Sequence, residues 1–198
     1  MAVVEAELER FGLLMQHDAA LPSVTSIVAG EPVRGSWWGH PKGREVFRVL
    51  TELEENVAFA KLVARKVTLV HRRLWGALAA VGSSREAWQT TGLARDAATI
   101  LAHVEEQGRV SVPDLEPSGK RTLAAVVTEL EHRLLVYSAQ EHSPSGKHIR
   151  VLTSWRPWSE SVGVASELPP IAEARAAFET AVQTWPRGAA LLPWTRRA

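Results

Sequence analysis

The chain of 198 residues contains no cysteine. Disulfides and thiol chemistry are excluded, and the composition fits a reducing cytoplasm. No apolar run reaches the roughly 20 residues of a membrane span, so no membrane partner is expected. The opening residues, MAVVEAELERFG, carry early acids and no basic segment, unlike a secretory leader. The seven histidines are scattered. None forms a His-x-x-x-His pair, so neither a metal nor a cofactor is expected. Gly-rich phosphate loops and Gly-x-Ser-x-Gly elbows are also missing, which leaves the common nucleotide-binding and hydrolase motifs without support. Acids and bases nearly cancel, with a net charge of +1. A polyanionic partner therefore gains little from global attraction.

What is present is a packed composition, 45% hydrophobic and 23% charged. It is arranged as an internal repeat. KGREVFRVLTELEENVAFAKLVARKVTLVHRRLW (residues 42–75) and SGKRTLAAVVTELEHRLLVYSAQEHSPSGKHIRVLTSW (residues 118–155) share one plan. Each reads as an amphipathic helix and then two short β-patterned runs. Both contain Thr-Glu-Leu-Glu, and the apolar stripe Val46, Val49, Leu50, Leu53 returns at one constant offset as Leu123, Val126, Val127, Leu130. A helix followed by a hairpin is the closing half of a winged helix. The expected fold is mainly α with short β-hairpins (α+β). Two tandem winged-helix units, 1–84 and 85–160, would precede a C-terminal helix and tail, 161–198.

Val4, Leu8, Phe11 and Met15 recur at helical spacing and predict a helix over 3–17. Ser23 caps a second helix, 24–29, which stops at Gly30. A third helix is expected over 43–55. Strands follow within 58–72, joined tightly near Ala64-Arg65-Lys66, and a helix runs from Leu74 to Val81. Further helices are expected over 93–107 and, capped by Ser118, over the second stripe. A second hairpin pairs 134–138 with 148–152 across the turn 141–147. An Ala-rich helix over 171–185 closes the pattern.

The charge is unevenly spread. No acid occurs from Asn56 to Ser84, where Lys61, Arg65, Lys66, Arg72 and Arg73 fall, and none from Val33 to Arg44, which carries Arg34, Lys42 and Arg44. In a winged helix the third helix enters the DNA major groove and the hairpin meets backbone or minor groove. Lys42, Arg44 and Arg48 in the first unit, and Lys120 and Arg121 in the second, stand near helix starts where phosphates bind. Lys147 lies in the second hairpin's turn. If about five of the hairpin cations reached phosphates, log affinity would fall with log salt at a slope near −4 to −5. The competing reading is an ordinary solvated face, with some cations paired to Glu52, Glu54 or Glu55. Trp37-Trp38-Gly39-His40 is the most unusual local sequence. An exposed indole there can stack on a base, and His40 can serve a phosphate. Alternatively both rings fill the core. One buried and one exposed ring is the expected split.

The segments GSWWGHPKGREVF, KVTLVHRRLW and TELEHRLLV…SGKH…LTSW resemble a small bacterial group related to the AlkZ/YcaQ-like winged-helix DNA glycosylases. Those enzymes excise alkylated bases. The resemblance spans residues 21–158. It implies double-stranded DNA as the partner and alkylation-damage repair as the setting. The family positions its attacking water with Gln-x-Gln or Gln-x-Asp, which Gln16-His17-Asp18 matches. By that resemblance Asp18 would activate water at C1′ and Gln16 would orient it. Three functions are thus expected in order: duplex-DNA binding, base excision, or a protein-interaction module built on the same fold.

Overall fold

The structure, a computed structural model, describes residues 1–116, 119, 121–142, 146–166 and 168–195. It is an α+β chain with two small antiparallel sheets. The chain divides into two compact units. One comprises Met1–Trp75 with a returning segment, residues 175–195, and the other Gly76–Ala174. This differs from the expected division at residue 84 and from a separate C-terminal piece.

In the first unit, α1 (Ala2–Phe11) buries Val4 and Leu8 and stops at Gly12, whose φ of 77° lets its N–H close onto the Leu8 carbonyl. The helix predicted to reach residue 17 therefore ends six residues early. Leu13, Leu14 and Met15 are all fully buried. One amphipathic helix cannot turn three successive side chains inward, and exposing either leucine would forfeit about 1.5–3 kcal/mol. They form β1 (Leu13–Met15) instead. Then α2 (Val24–Ala29) begins at Ser23, whose hydroxyl accepts from the Ser26 N–H, and ends at Gly30. This is the helix expected. The next, α3 (Gly43–Leu53), buries Val46, Val49, Leu50 and Leu53. Strands β2 (Val57–Val63) and β3 (Lys66–His71) make the hairpin, with a register shift between Ala60 and Val63. Its two-residue turn, Ala64 and Arg65, has φ of 53° and 60°. Paired left-handed residues match the right-handed twist of the strands. β1 pairs with β3, so the sheet order is β1-β3-β2.

The second unit opens with α4 (Trp75–Ser83), the short α5 (Ala87–Thr90) and α6 (Arg95–Gln107), which Gly108 ends at φ 74°. β4 (Arg109–Ser111) and a 3-10 turn, Val112–Asp114, lead to α7 (Leu123–His132). That helix starts later than expected: Thr122, not Ser118, is its cap, accepting from the Ala125 N–H. Ser118 itself lies outside the described residues. β5 (Tyr137–His142) and β6 (His148–Thr153) pair Tyr137 with Thr153 and His142 with His148. The expected pairing of 134–138 placed the first strand too early. Leu134, Leu135 and Val136 are buried core residues instead, and Leu134 takes a φ of 50°. The sheet order β4-β6-β5 repeats that of the first unit. α8 (Trp155–Ser161), absent from the expectation, packs Trp155 onto Gly82, where a Cβ would meet the indole at 2.1 Å.

Finally α9 (Ile171–Val182) carries the chain back into the first unit. Phe178, Val182, Trp185, Leu191 and Leu192 are buried, and the Ala64 N–H donates to the Leu191 carbonyl at 2.9 Å. That bond ties the returning segment to the hairpin turn. It explains why the tail belongs to this unit although its sequence shows no period.

Candidate nucleic-acid interface

Successive side chains on an α-helix are about 100° apart. On α3 the inward arc is Gly43, Val46, Val49, Leu50 and Leu53. The outward arc has Arg44, Arg48 and Thr51 at its middle. Phe47 borders it on one side, and Glu45 and Glu52 on the other. All six are exposed. Phe47 reaches Trp38, with ring centroids 5.6 Å apart. The face thus grades from aromatic through basic to acidic. Arg44 has no ion-pair or hydrogen-bond partner for its guanidinium among the described residues. Arg48 lies 3.9 Å from Glu52, both well exposed, a pair worth little in water.

The tryptophans precede this helix in a 3-10 turn, Trp37–Gly39. Trp37 is 7% exposed and joins the core of Val4, Leu8, Val24 and Val46. Trp38 is 64% exposed and stacks on Trp37 at 4.1 Å and 23°. The expected split, one ring in and one out, is what the structure has. The turn is firmly built. The His40 N–H donates to the Trp37 carbonyl, the Gly43 N–H to the His40 carbonyl, and the Lys42 N–H to His40 Nδ1. Lys42 Nζ donates to the Val28 carbonyl at 2.8 Å, and His40 Nε2 lies 3.5 Å from Glu31. Both side chains therefore help to organise the turn.

The hairpin cations do not form one cluster. Arg65 sits at the turn, while Arg72 and Arg73 follow β3 at its far end, about 20 Å away at strand spacing. Lys66 is committed to Asp18 at 2.7 Å. Arg73 donates to the Arg10 carbonyl at the end of α1, where a cation suits the helix dipole. Arg34, Arg65 and Arg72 are exposed, with no such partner for their guanidinium groups among the described residues. Lys61 is half-buried. The hairpin cations are thus spread over its two ends, since adjacency along a strand is not adjacency in space.

In the second unit the corresponding helix face lacks the aromatic ring and the second arginine. Ala124 and Ala125 stand at the places of Phe47 and Arg48, and Arg121 at that of Arg44. Arg121 folds onto Glu129 at 2.5 Å and Asp96 at 3.3 Å. Glu129 above all, with Asp96, holds its guanidinium still more firmly protonated. Arg133 is spent on the carbonyls of Gln89, Thr91 and Gly92, and Arg109 pairs with Glu141. Lys147 is exposed beside β6, and Lys120 lies outside the described residues.

Gln16 and Asp18 follow β1 rather than ending a helix. The Gln16 N–H donates to the Val67 carbonyl, and its own carbonyl accepts from the Thr25 hydroxyl at 2.7 Å. Asp18 is buried. Its Oδ1 accepts from the Ala20 and Leu21 N–H groups, and its Oδ2 from Lys66. Burial alone would push this carboxyl up. Lys66 and the two backbone donors outweigh it and hold the group below the usual aspartate value. A carboxylate so engaged is a poor general base. In the structure Asp18 shapes the turn after β1, whereas the resemblance implied that it activates water.

Phe47 and Thr51 were not singled out in the sequence. The available signal was a phenylalanine off the inward stripe. Among the described residues, no group of three or more histidine, aspartate or glutamate side chains is placed to hold a metal ion, and no helix is long and apolar enough to cross a membrane. No protein-family model matches the chain, and no curated protein or solved structure matches it.

Proposed function

We propose that the protein is a cytoplasmic, duplex-DNA-binding protein made of tandem winged-helix units, whose first unit grips DNA through the outward face of α3. The carrying observation is the solvent-facing row Arg44, Phe47, Arg48 and Thr51 beside Trp38, with Ala124 and Ala125 at the places of Phe47 and Arg48 in the second copy. The element order supports the winged-helix reading: helix, strand, two helices, then two strands, with the first strand bonded to the last. In that architecture α3 is the helix that enters the major groove, where Arg pairs with guanine edges or phosphates. A role in alkylation-damage repair rests on the family resemblance. Within it, binding fits this chain better than base excision, because Asp18 is fully engaged.

With Lys66 and Arg73 committed elsewhere and Arg65 and Arg72 at opposite ends of the hairpin, about two or three phosphate contacts are expected. The slope of log affinity against log salt should then be near −2 to −3. Fluorescence anisotropy of a labelled duplex between low and moderate salt measures it. Absence of binding at micromolar protein, or binding indifferent to salt, would sink the reading. A protein-interaction module is the second reading, favoured by the exposed Trp38–Phe47 pair.

A further inference from the structure

Trp38 is a ring with one face used and the other open. Its stack on Trp37 covers one side, yet 64% of the residue remains exposed. Phe47 meets it tilted, at 5.6 Å and 40°, and the exposure of Trp38 is what remains with both neighbours in place. The ring beneath is buried, and the backbone carrying both is pinned by Gly43, whose missing Cβ would lie 2.9 Å from the Trp37 carbonyl and 3.1 Å from that of Trp38. Holding a large apolar ring in water gains the fold nothing. Holding it rigidly prepares a stacking surface whose ordering cost is already met.

The charges around it point to one occupant. Arg44 and Arg48 lie along the same helix face and suit a phosphate backbone. The acids Glu45 and Glu52 stand on the edge away from the rings, and Glu31 is engaged with His40. Every nucleobase has a π-face that can lie on an indole, and stacking one on an aromatic side chain tolerates any sequence. Inside an intact duplex both faces of each base are already covered.

We infer that Trp38 is a stacking platform for an unpaired base, so that the first unit binds DNA containing a bulged or extruded nucleotide in preference to a perfect duplex. The inference rests on the DNA-binding reading and adds to it the kind of DNA recognised. Arg44 and Arg48 hold the flanking phosphates, and the open face of Trp38 takes the base.

The test compares a labelled perfect duplex with the same duplex carrying one extra unpaired adenine, using wild type, Trp38→Ala, Trp38→Phe and Arg48→Ala. Wild type is expected to prefer the bulged DNA by about tenfold. Trp38→Ala should abolish the preference while leaving perfect-duplex affinity within about twofold, and Trp38→Phe should keep part of it. Arg48→Ala should weaken both DNAs alike. A 2-aminopurine placed at the bulge should be quenched by wild type and not by Trp38→Ala. Equal affinity of wild type for the two DNAs, or equal losses on both in Trp38→Ala, overturns the platform and leaves duplex binding standing. Failure to bind either DNA at low salt overturns both readings.

Discussion

Lys66 Nζ donates to Asp18 Oδ2 at 2.7 Å, joining the first residue of β3 to the turn that follows β1. The same carboxylate receives two backbone N–H groups, and its carbonyl receives the Ser23 and Ser26 hydroxyls. Removing the carboxylate leaves the part-buried Ala20 and Leu21 N–H groups and Lys66 without their acceptor, whereas the two hydroxyls keep the backbone carbonyl. Asp18→Ala should cost about 2 kcal/mol in urea unfolding. The half-exposed Lys66 contributes the smaller part. The pH dependence has a definite sign. The folded carboxyl titrates below its ordinary value of 3.8. Its contribution is complete above that value and is lost as pH falls through the lower folded one. Asp18→Asn should flatten the acid limb of the stability curve. Wild type should release no abasic sites from alkylated duplex beyond the buffer control. Release that Asp18→Asn abolishes would restore the catalytic role.

Gly43 begins α3 against the backbone of the tryptophan turn. Alanine is the better helix former by about 1 kcal/mol. Here its Cβ would meet carbonyl oxygens at 2.9 and 3.1 Å, and backbone cannot swing aside as a side chain does. Gly43→Ala should therefore lower thermal stability despite its propensity. It should also weaken DNA binding, because the start of α3 shifts and carries Arg44 with it. An unchanged or raised melting temperature would show that the turn is not pinned as described.

His71 ends β3 with its Nδ1 buried and without a hydrogen-bond partner among the described residues. Burial lowers its pKa, Arg73 and Arg72 lower it further, and Glu9 opposes them. The group is neutral in the fold at a pH where the unfolded chain binds a proton. Its contribution is complete above the ordinary value of 6.5 and is lost as pH falls through the depressed folded value. His71→Gln should reduce the loss of stability between neutral and mildly acid pH. An NMR titration of the His71 ring in the folded protein should give a midpoint below 6.5. A midpoint above it would contradict the assignment.

Much of the fold was legible in local chemistry. Ser23 and Gly30 bound α2 because a hydroxyl cap and a left-handed glycine leave few alternatives. The inward stripe of α3 and its echo in α7 follow from period alone. Met15 misled because its spacing from Phe11 suits a helix, whereas its burial beside Leu13 and Leu14 depends on β3, some 50 residues away. Of the candidate site, one exposed ring of the Trp37–Trp38 pair and the cation Arg44 near the start of α3 were readable. The fates of Lys42, Lys66 and Arg121 were not, because each is decided by partners outside its own turn of chain: Val28, Asp18, and Glu129 with Asp96.

The central claim is that α3 of the first unit, and not its copy in the second, holds DNA. The two helices offer a matched pair of positions, Arg48 and Ala125, both exposed. A glutamate at either is a surface change that should alter stability by no more than about 0.5 kcal/mol. Anisotropy with one labelled duplex at low salt compares Arg48→Glu with Ala125→Glu. The account predicts that Arg48→Glu weakens binding at least about tenfold, through loss of a cation and gain of a repelling charge, while Ala125→Glu stays close to wild type. Equal losses in the two variants, or a larger loss in Ala125→Glu, would contradict it.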